Sequence, residues 1–219
     1  MIAVIAALPR EVAGLVKGWE RREVARNVFV WRRGASIAAC AGMGQGRAML
    51  ACEAAMTAAP MKRLISAGLA GACDPALRVG DVLRASVVID ARTGERLDAE
   101  GSVGGAVLVT GTGIATSREK RRLRESYGAS AVDMEAAAVA RIARAHRMEF
   151  RAVKAVSDEV ECEMEGLERF ATADGQFREG AFALHTALRP WMWSSVMALG
   201  RNSARAVRSL SEALRAEID

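Results

Sequence analysis

The chain has 219 residues, 51% apolar and 26% charged, with 31 Lys and Arg against 26 Asp and Glu for a formal net charge of +5. That apolar content excludes a disordered chain and suffices for one sizeable core, while no apolar run reaches the roughly 18 to 20 residues that cross a bilayer. Both signs of charge are interspersed along the chain, without the clustered cations and stacking aromatics of a nucleic-acid surface, so no nucleic-acid partner is expected.

In chain order, Ile2–Ala7 reads as a buried first strand. No basic segment precedes it and it runs into Pro9-Arg10-Glu11 without a cleavage-like site, which argues against a signal peptide and for a cytoplasmic protein. Further short β-branched or apolar runs predict strands at Val28–Trp31, Ser36–Ala41, Arg63–Ala67, Val82–Asp90, Ala106–Thr110 and Ala152–Ser157. Helices are predicted over Arg47–Ala59, ended by Pro60, and over Met134–His146, with Met134, Ala138 and Ile142 on one face. The charged stretch Arg118–Glu125 mixes acids with bases and reads as a solvated helix face. Strands alternating with helices predict an α/β fold: a single-domain three-layer sandwich over residues 1–187, with a central mixed sheet flanked by helices. Residues 188–219 form a C-terminal amphipathic helical extension broken from the rest at Pro190, with Trp193, Val196, Met197, Val207, Leu210 and Leu214 at helical spacing and Arg201, Arg205, Arg208 and Arg215 on another face.

Several positions carry chemistry. Ser157-Asp158 closes an apolar run and places a carboxylate at the carboxyl edge of the sheet, where ligands bind; a helix N-cap is the alternative. Asp133 and Glu135 stand in the first turn of a predicted helix, where the dipole favours acids. Glu135 is also embedded in an apolar Met-Glu-Ala-Ala-Ala-Val segment, and a carboxylate buried there needs a partner or a ligand. Gly42-Met-Gly-Gln-Gly46 joins a strand to a helix as a phosphate or ribose turn, though its spacing is not the dinucleotide fingerprint. Gly68-Leu-Ala-Gly71 is a second turn of that kind. Only His146 and His185 are present, each in a helical stretch, so neither a metal cage nor a Ser-His-Asp triad is expected. Cys40, Cys52, Cys73 and Cys162 lack metal-site or disulfide spacing and read as reduced thiols.

Taken together and in order, Ile2–Glu11, Ala41–Gly46, Ser66–Gly71 with Val79–Val82, Val132–Ala137 and Ala155–Asp158 resemble the nucleoside phosphorylase and nucleoside hydrolase superfamily, in particular its methylthioadenosine/S-adenosylhomocysteine nucleosidase-like branch. The resemblance covers most of residues 1–187 and implies cleavage of a nucleoside N-glycosidic bond through an oxocarbenium-like ribosyl transition state, with adenine released from a 5′-substituted adenosine. It implies that Asp158 is the general acid at the purine N7, that Glu135 holds the ribose hydroxyls with Met134 beneath the sugar, and that Glu11 activates the attacking water. Ser157, Gly68 and Ala70 would complete the substrate contacts. No metal or organic cofactor is implied, and a homo-oligomer is.

Water or phosphate as nucleophile turns on the anion site. Ser66 stands where hexameric phosphorylases carry Arg, and Leu69 where their motif has Ser, so the phosphate site is depleted. Gly44, Arg10 and Arg47 are the groups left to hold an anion. With Glu11 repelling phosphate, water is favoured; a phosphorylase with phosphate as co-substrate is the alternative, and a non-catalytic nucleoside-binding module or a membrane-surface adaptor are rivals of other classes. Two departures bear on the substrate. The stretch between Asp81 and Gly111 is short for the family, which predicts a more open pocket, and Gly111–Ala115 lacks the aromatic that stacks on the base. The tail, with Leu188–Trp193 and Arg201–Arg205, resembles the hopanoid-associated branch, which acts on adenosylhopane. Either it lines a route for a lipid-linked substrate and touches the inner membrane peripherally, or it packs on the core or a neighbouring subunit.

Overall fold

The computed structural model describes residues 1–100, 105–162, 172 and 193–218, the last helix by its backbone alone at 193–196. Its strands are β1 (Ile2–Ala6), β2 (Glu20–Ala25), β3 (Val28–Arg33), β4 (Ser36–Cys40), β5 (Arg63–Ala72), β6 (Val82–Asp90), β7 (Arg96–Asp98), β8 (Ala106–Thr110), β9 (Ala131–Asp133) and β10 (Glu149–Asp158). The helices are α1 (Pro9–Val12), α2 (Gln45–Ala58), α3 (Ser117–Tyr127), α4 (Ala136–Ala145) and α5 (Trp193–Ile218).

One sheet runs β2-β3-β4-β1-β5, and β5 then pairs with both β9 and β10. Since β9 pairs β8, β8 pairs β6 and β6 pairs β10, these five strands close a ring on one flank of the open sheet. Parallel and antiparallel pairings both occur, as in the expected mixed sheet. Successive residues of the central strands point to opposite, equally buried sides. Ala3 and Ile5 pack towards α2 and α4, whereas Val4 and Ala6 pack with the core that includes α5. Strands covered on both faces read as continuous apolar runs, and this is why β1, β4 and β6 are legible in the sequence.

The three-layer α/β sandwich therefore holds. Helix α2 buries Ala48, Ala51, Cys52 and Ala55, a stripe of small side chains that lets it lie close to the sheet and to α4. On the opposite face α5 buries Ala206, Leu210 and Leu214 completely, each leucine worth about 1.5 to 3 kcal/mol. Its C-terminal end is fastened by Glu217, which accepts from Arg84 Nε and Arg151 Nη1 at 2.8 Å each. Gly14 permits the approach, since a Cβ there would lie 2.5 Å from Ser211 Oγ. Among the described residues no helix is long and apolar enough to cross a membrane.

Several expectations change. Gly68–Gly71 is not a turn but part of β5, with Gly68 at φ +142°. Val132 and Asp133 form β9, and the helix begins only at Ala136, after Glu135. β2 is exposed throughout and charged over Glu20–Glu23, and β7 and β9 have three residues each, too short for any period. The face Arg118–Glu125 is not wholly solvated, because Lys120 and Leu123 are buried. In α5 Met197, expected on the apolar face, is exposed, as are all four arginines named above, although Arg215 reaches back to donate to Gly14 O at 2.8 Å. His185, Pro190, Trp191 and the side chains of Trp193 and Val196 lie outside the described residues, as does the boundary at 187/188.

Candidate active site

A cavity of about 630 Å³ opens where β1, β9 and β10 end and beside Leu69–Gly71 of β5, with part of α5 as its far wall. Glu11, Met134, Glu135, Ser157 and Asp158 all line it, together with Arg10 and Ala70. Five motifs spread over some 150 positions of the sequence thus bring three carboxylates into one chamber.

Each acid is set by backbone. Glu11 lies in α1, whose first helical residue, Pro9, has the φ a helix needs and no N–H to leave unpaired. Its Oε2 accepts from the Ala7 and Leu8 amides at 3.0 and 2.9 Å, and its Oε1 from the Leu69 amide at 3.2 Å. Gly68 makes the last contact possible: a Cβ there would stand 3.3 Å from Oε1, on a backbone that side chains rarely adopt. Gly68 is thus not a wall of the cavity but a spacer behind Glu11.

Glu135 occupies the N-cap of α4 without capping it; that task falls to Asp133, whose Oδ2 accepts from Ala136 N at 2.9 Å. Its own Oε1 accepts from the Gly44 amide at 2.7 Å and its Oε2 from Met134 N at 3.3 Å. The anion held at the start of α2 is therefore the protein's own Glu135, rather than the phosphate for which Gly44 was a candidate. Burial, and then the negative charge of Asp133, push Glu135 up to about 7, with Lys154 and the Gly44 amide pulling the other way.

Beneath Glu135 lies a buried ion pair that the sequence reading missed. Lys154 Nζ stands 2.8 Å from Asp133 Oδ2, both side chains wholly inaccessible, and also donates to Ala67 O at 3.3 Å. Thr110 Oγ1 donates to Asp133 Oδ1 at 2.7 Å and accepts from Ala137 N at 3.0 Å. Burial works against the Lys154 ammonium, but Asp133 and Glu135 more than offset it and hold its pKa above the ordinary lysine value. The signal was present: a lone lysine inside Ala152–Val156 must meet an acid if the strand is covered on both sides.

Asp158 ends β10 at a bulge, where Val156 pairs Ala70 and Asp158 pairs Gly71. Such an extra residue re-aims the side chains around it, and here Ser157 and Asp158 both reach the cavity. Ser157 Oγ donates to Asp158 Oδ1 at 2.6 Å, and Lys120 Nζ pairs with Asp158 Oδ2 while donating to Glu159 O at 2.8 Å. Asp158 is not a helix cap. Lys120 had only a weak signature, because the residues on either side of it in α3 are also charged, with Leu123, one turn on, the apolar residue that shares its face.

The cations and thiols complete the inventory. Arg10 and Lys120 are the cations lining the cavity among the described residues. Arg47 does not line it: its Nε donates to Ala41 O and its Nη2 to Asn27 O, tying α2 to the strands before it. The four cysteines are free; burial raises the Cys52 and Cys73 thiols to about 12 and, with Glu11 nearby, Cys40 well above its ordinary value. Among the described residues no group of three or more His, Cys, Asp or Glu side chains is arranged to hold a metal ion.

Comparison with known proteins gives a consistent frame. The sequence model of the phosphorylase superfamily matches residues 1–104 and 95–188. No curated protein sequence matches the chain. Among solved structures, a Helicobacter pylori MTAN mutant with 5′-methylthioadenosine in its active site superposes with a TM-score of 0.75 at 15% identity, over 100% of this chain and 97% of that one. The 5′-methylthioadenosine/S-adenosylhomocysteine nucleosidase of Neisseria meningitidis gives 0.71 at 18% identity over 96% and 94%. A futalosine hydrolase mutant of H. pylori gives 0.65 at 17% identity over 77% and 92%.

Proposed function

This chain belongs to the phosphorylase superfamily, and from that membership we propose that it hydrolyses the N-glycosidic bond of a 5′-substituted adenine nucleoside. The observation that carries the reading is the convergence of Glu11, Glu135 and Asp158, with Met134, on one cavity. In the proposed reaction the C1′–N9 bond breaks, its electron pair passes into the base, and Asp158 gives N7 a proton so that adenine leaves neutral. Glu135 accepts hydrogen bonds from the ribose 2′ and 3′ hydroxyls, which acidify as the ring becomes cationic. Met134 lies beneath the sugar. Glu11, fixed by three backbone amides, takes the proton of the water that attacks C1′.

Three features support water over phosphate. The Gly44 amide is already spent on Glu135, Arg47 is turned to backbone carbonyls, and Lys120 is paired with Asp158. A phosphate dianion would meet Glu11 and Glu135 with Arg10 as its principal cation. The hydrolase and nucleosidases whose fold is shared are in keeping with this.

Leu199, Gly200, Ser203, Ala204 and Val207 of α5 line the cavity, and in the proposed pose the 5′ side of the nucleoside faces them. This wall is apolar or small, which supports an apolar 5′ substituent, with adenosine joined to a polycyclic lipid, as in adenosylhopane, as the largest case. The test is adenine release from adenosine, methylthioadenosine and a 5′-alkylated adenosine, each with and without phosphate. Phosphate-independent release with the alkylated compound preferred is expected. Release only with phosphate, yielding ribose 1-phosphate, would assign the second reading, a phosphorylase using Arg10.

A further inference from the structure

We propose that Lys120 is the positioning residue and proton source of Asp158, so that the acid is loaded from a buried ammonium already in the site; this rests on the nucleoside-cleaving reading above. α3 contributes one residue to the cavity wall, Lys120, whose side chain is 1% exposed. Its ammonium is committed to Asp158 Oδ2 and Glu159 O, and the hydroxyl of Ser157 holds the other carboxylate oxygen. Both oxygens of Asp158 therefore have a donor within reach before any base arrives, the Ser157 hydroxyl lying 2.6 Å from Oδ1 and 3.3 Å from its other acceptor, Ala70 O.

β5 is shaped for this pair. A Cβ at Gly71 would lie 2.9 Å from Asp158 Oδ2 and 2.9 Å from Lys120 Cε, so a bare backbone at that point is what lets the two side chains meet. Stability alone explains such a pair poorly, because desolvating two charges consumes most of what their attraction returns. Its place in the cavity wall at the proposed proton-donating carboxylate suits chemistry better. Lysine and aspartate together are neutral and hold one transferable proton. As the C1′–N9 electron pair enters the base, the Lys120 ammonium gives its proton to Asp158, and Asp158 passes it on to N7. Lys120 is left as the amine, Asp158 as the carboxylate, and adenine departs neutral. Meanwhile water gives its oxygen to C1′ and a proton to Glu11. Once the base has left, water entering the cavity returns a proton to Lys120, and Glu11 releases its own to solvent.

The test compares two leaving groups, adenine from adenosine and p-nitrophenolate from p-nitrophenyl ribofuranoside, the latter departing without a proton. Lys120→Met should lower kcat for adenosine by at least about a hundredfold with KM within about threefold, as for loss of general-acid catalysis. The nitrophenyl substrate should lose less than about tenfold, since it draws nothing from the relay. Lys120→Gln, which keeps an N–H for Asp158 but no labile proton, should show the same split and decides the matter if the Met variant does not fold. In an Asp158→Asn background, adding Lys120→Met should cost adenosine turnover nothing further; this arm decides if wild type accepts only the nucleoside. Equal losses on both substrates, a change in KM alone, or an additive loss with Asp158→Asn would overturn the inference. Wild-type protein that releases neither leaving group would instead overturn the nucleoside-cleaving reading itself.

Discussion

Replacing Lys154 by Met probes the charge balance under the ribose. Lys154 is wholly buried, 2.8 Å from Asp133 Oδ2, and its charge lowers the pKa of Glu135, which nevertheless stands at about 7. Methionine fills nearly the same volume but leaves Asp133 uncompensated. Breaking one side of a buried pair costs about 3 to 5 kcal/mol. Thr110 and the Ala136 amide still hold Asp133, so the lower figure is expected, a fall in Tm of roughly 6 to 12 °C for a chain of this size. Removing one opposite charge beside a carboxyl raises its pKa by about 1 to 3 units. The carboxylate form of Glu135 accepts both ribose hydroxyls, so kcat/KM for adenine release should rise with pH through about 7 in the wild type and through a value at least about one unit higher in the variant. Folding stability has the opposite sign. Glu135 rises from 4.5 to about 7, so the folded state binds the extra proton in that window, and its contribution is present below 4.5 and lost as pH rises through 7. The double variant Lys154→Met/Asp133→Asn removes both charges and should recover most of the stability. A folded Lys154→Met protein whose acid limb stays where the wild type has it would refute the electrostatic account of Glu135.

Asp158→Asn should reduce adenine release by at least about a hundredfold while the melting curve stays cooperative; near-normal turnover would remove Asp158 from the chemistry. Ser203→Phe, on the α5 wall, should raise KM for a 5′-alkylated adenosine far more than for adenosine, and equal effects would place the 5′ group elsewhere. Leu210→Ala empties a fully buried site between α5 and the sheet and should cost about 2 to 5 kcal/mol in urea unfolding. Gly14→Ala drives a methyl to 2.5 Å from Ser211 Oγ, a strain of about 1 to 3 kcal/mol. Ser211→Gly in the same chain should relieve much of it, and an unchanged double variant would mean that α5 docks differently.

Much of the layer order was legible in the sequence because its signals are local. β1, β4, β6 and β8 are runs of Val, Ile and Ala that only a doubly covered sheet accommodates, and α2 stops before Pro60 because proline cannot extend a helix. The acids stood out for different reasons: Glu135 interrupts an apolar run, where an unpartnered carboxylate would be costly, Asp158 closes a strand at the ligand-binding edge of the sheet, and Glu11 was marked only by the family resemblance. β2 escaped because it is an exposed, charged edge strand held by pairing to β3 rather than by burial. β9 escaped because its three residues exist as a strand only by bridging β5 and β8 in the closed ring.

Tertiary structure alone decided which polar groups meet. Closure of the ring carries β5 straight through Gly68–Gly71, so those glycines serve as clearance for Glu11 and for the Lys120–Asp158 pair rather than as a turn. Arg118–Glu125 contains five cations, and the one local mark on Lys120 is its place three residues before Leu123, on the same face of the helix; the seat of α3 against β8 and β9 is what turns that face inwards. Arg47, beside the glycine turn in sequence, is drawn to the backbone of Ala41 and Asn27 once β3 and β4 are paired. Periodicity records which residues avoid water, a property of each residue and its neighbours in the chain. Which charge faces which is a property of distance across the fold, and the amino-acid order carries no local trace of it.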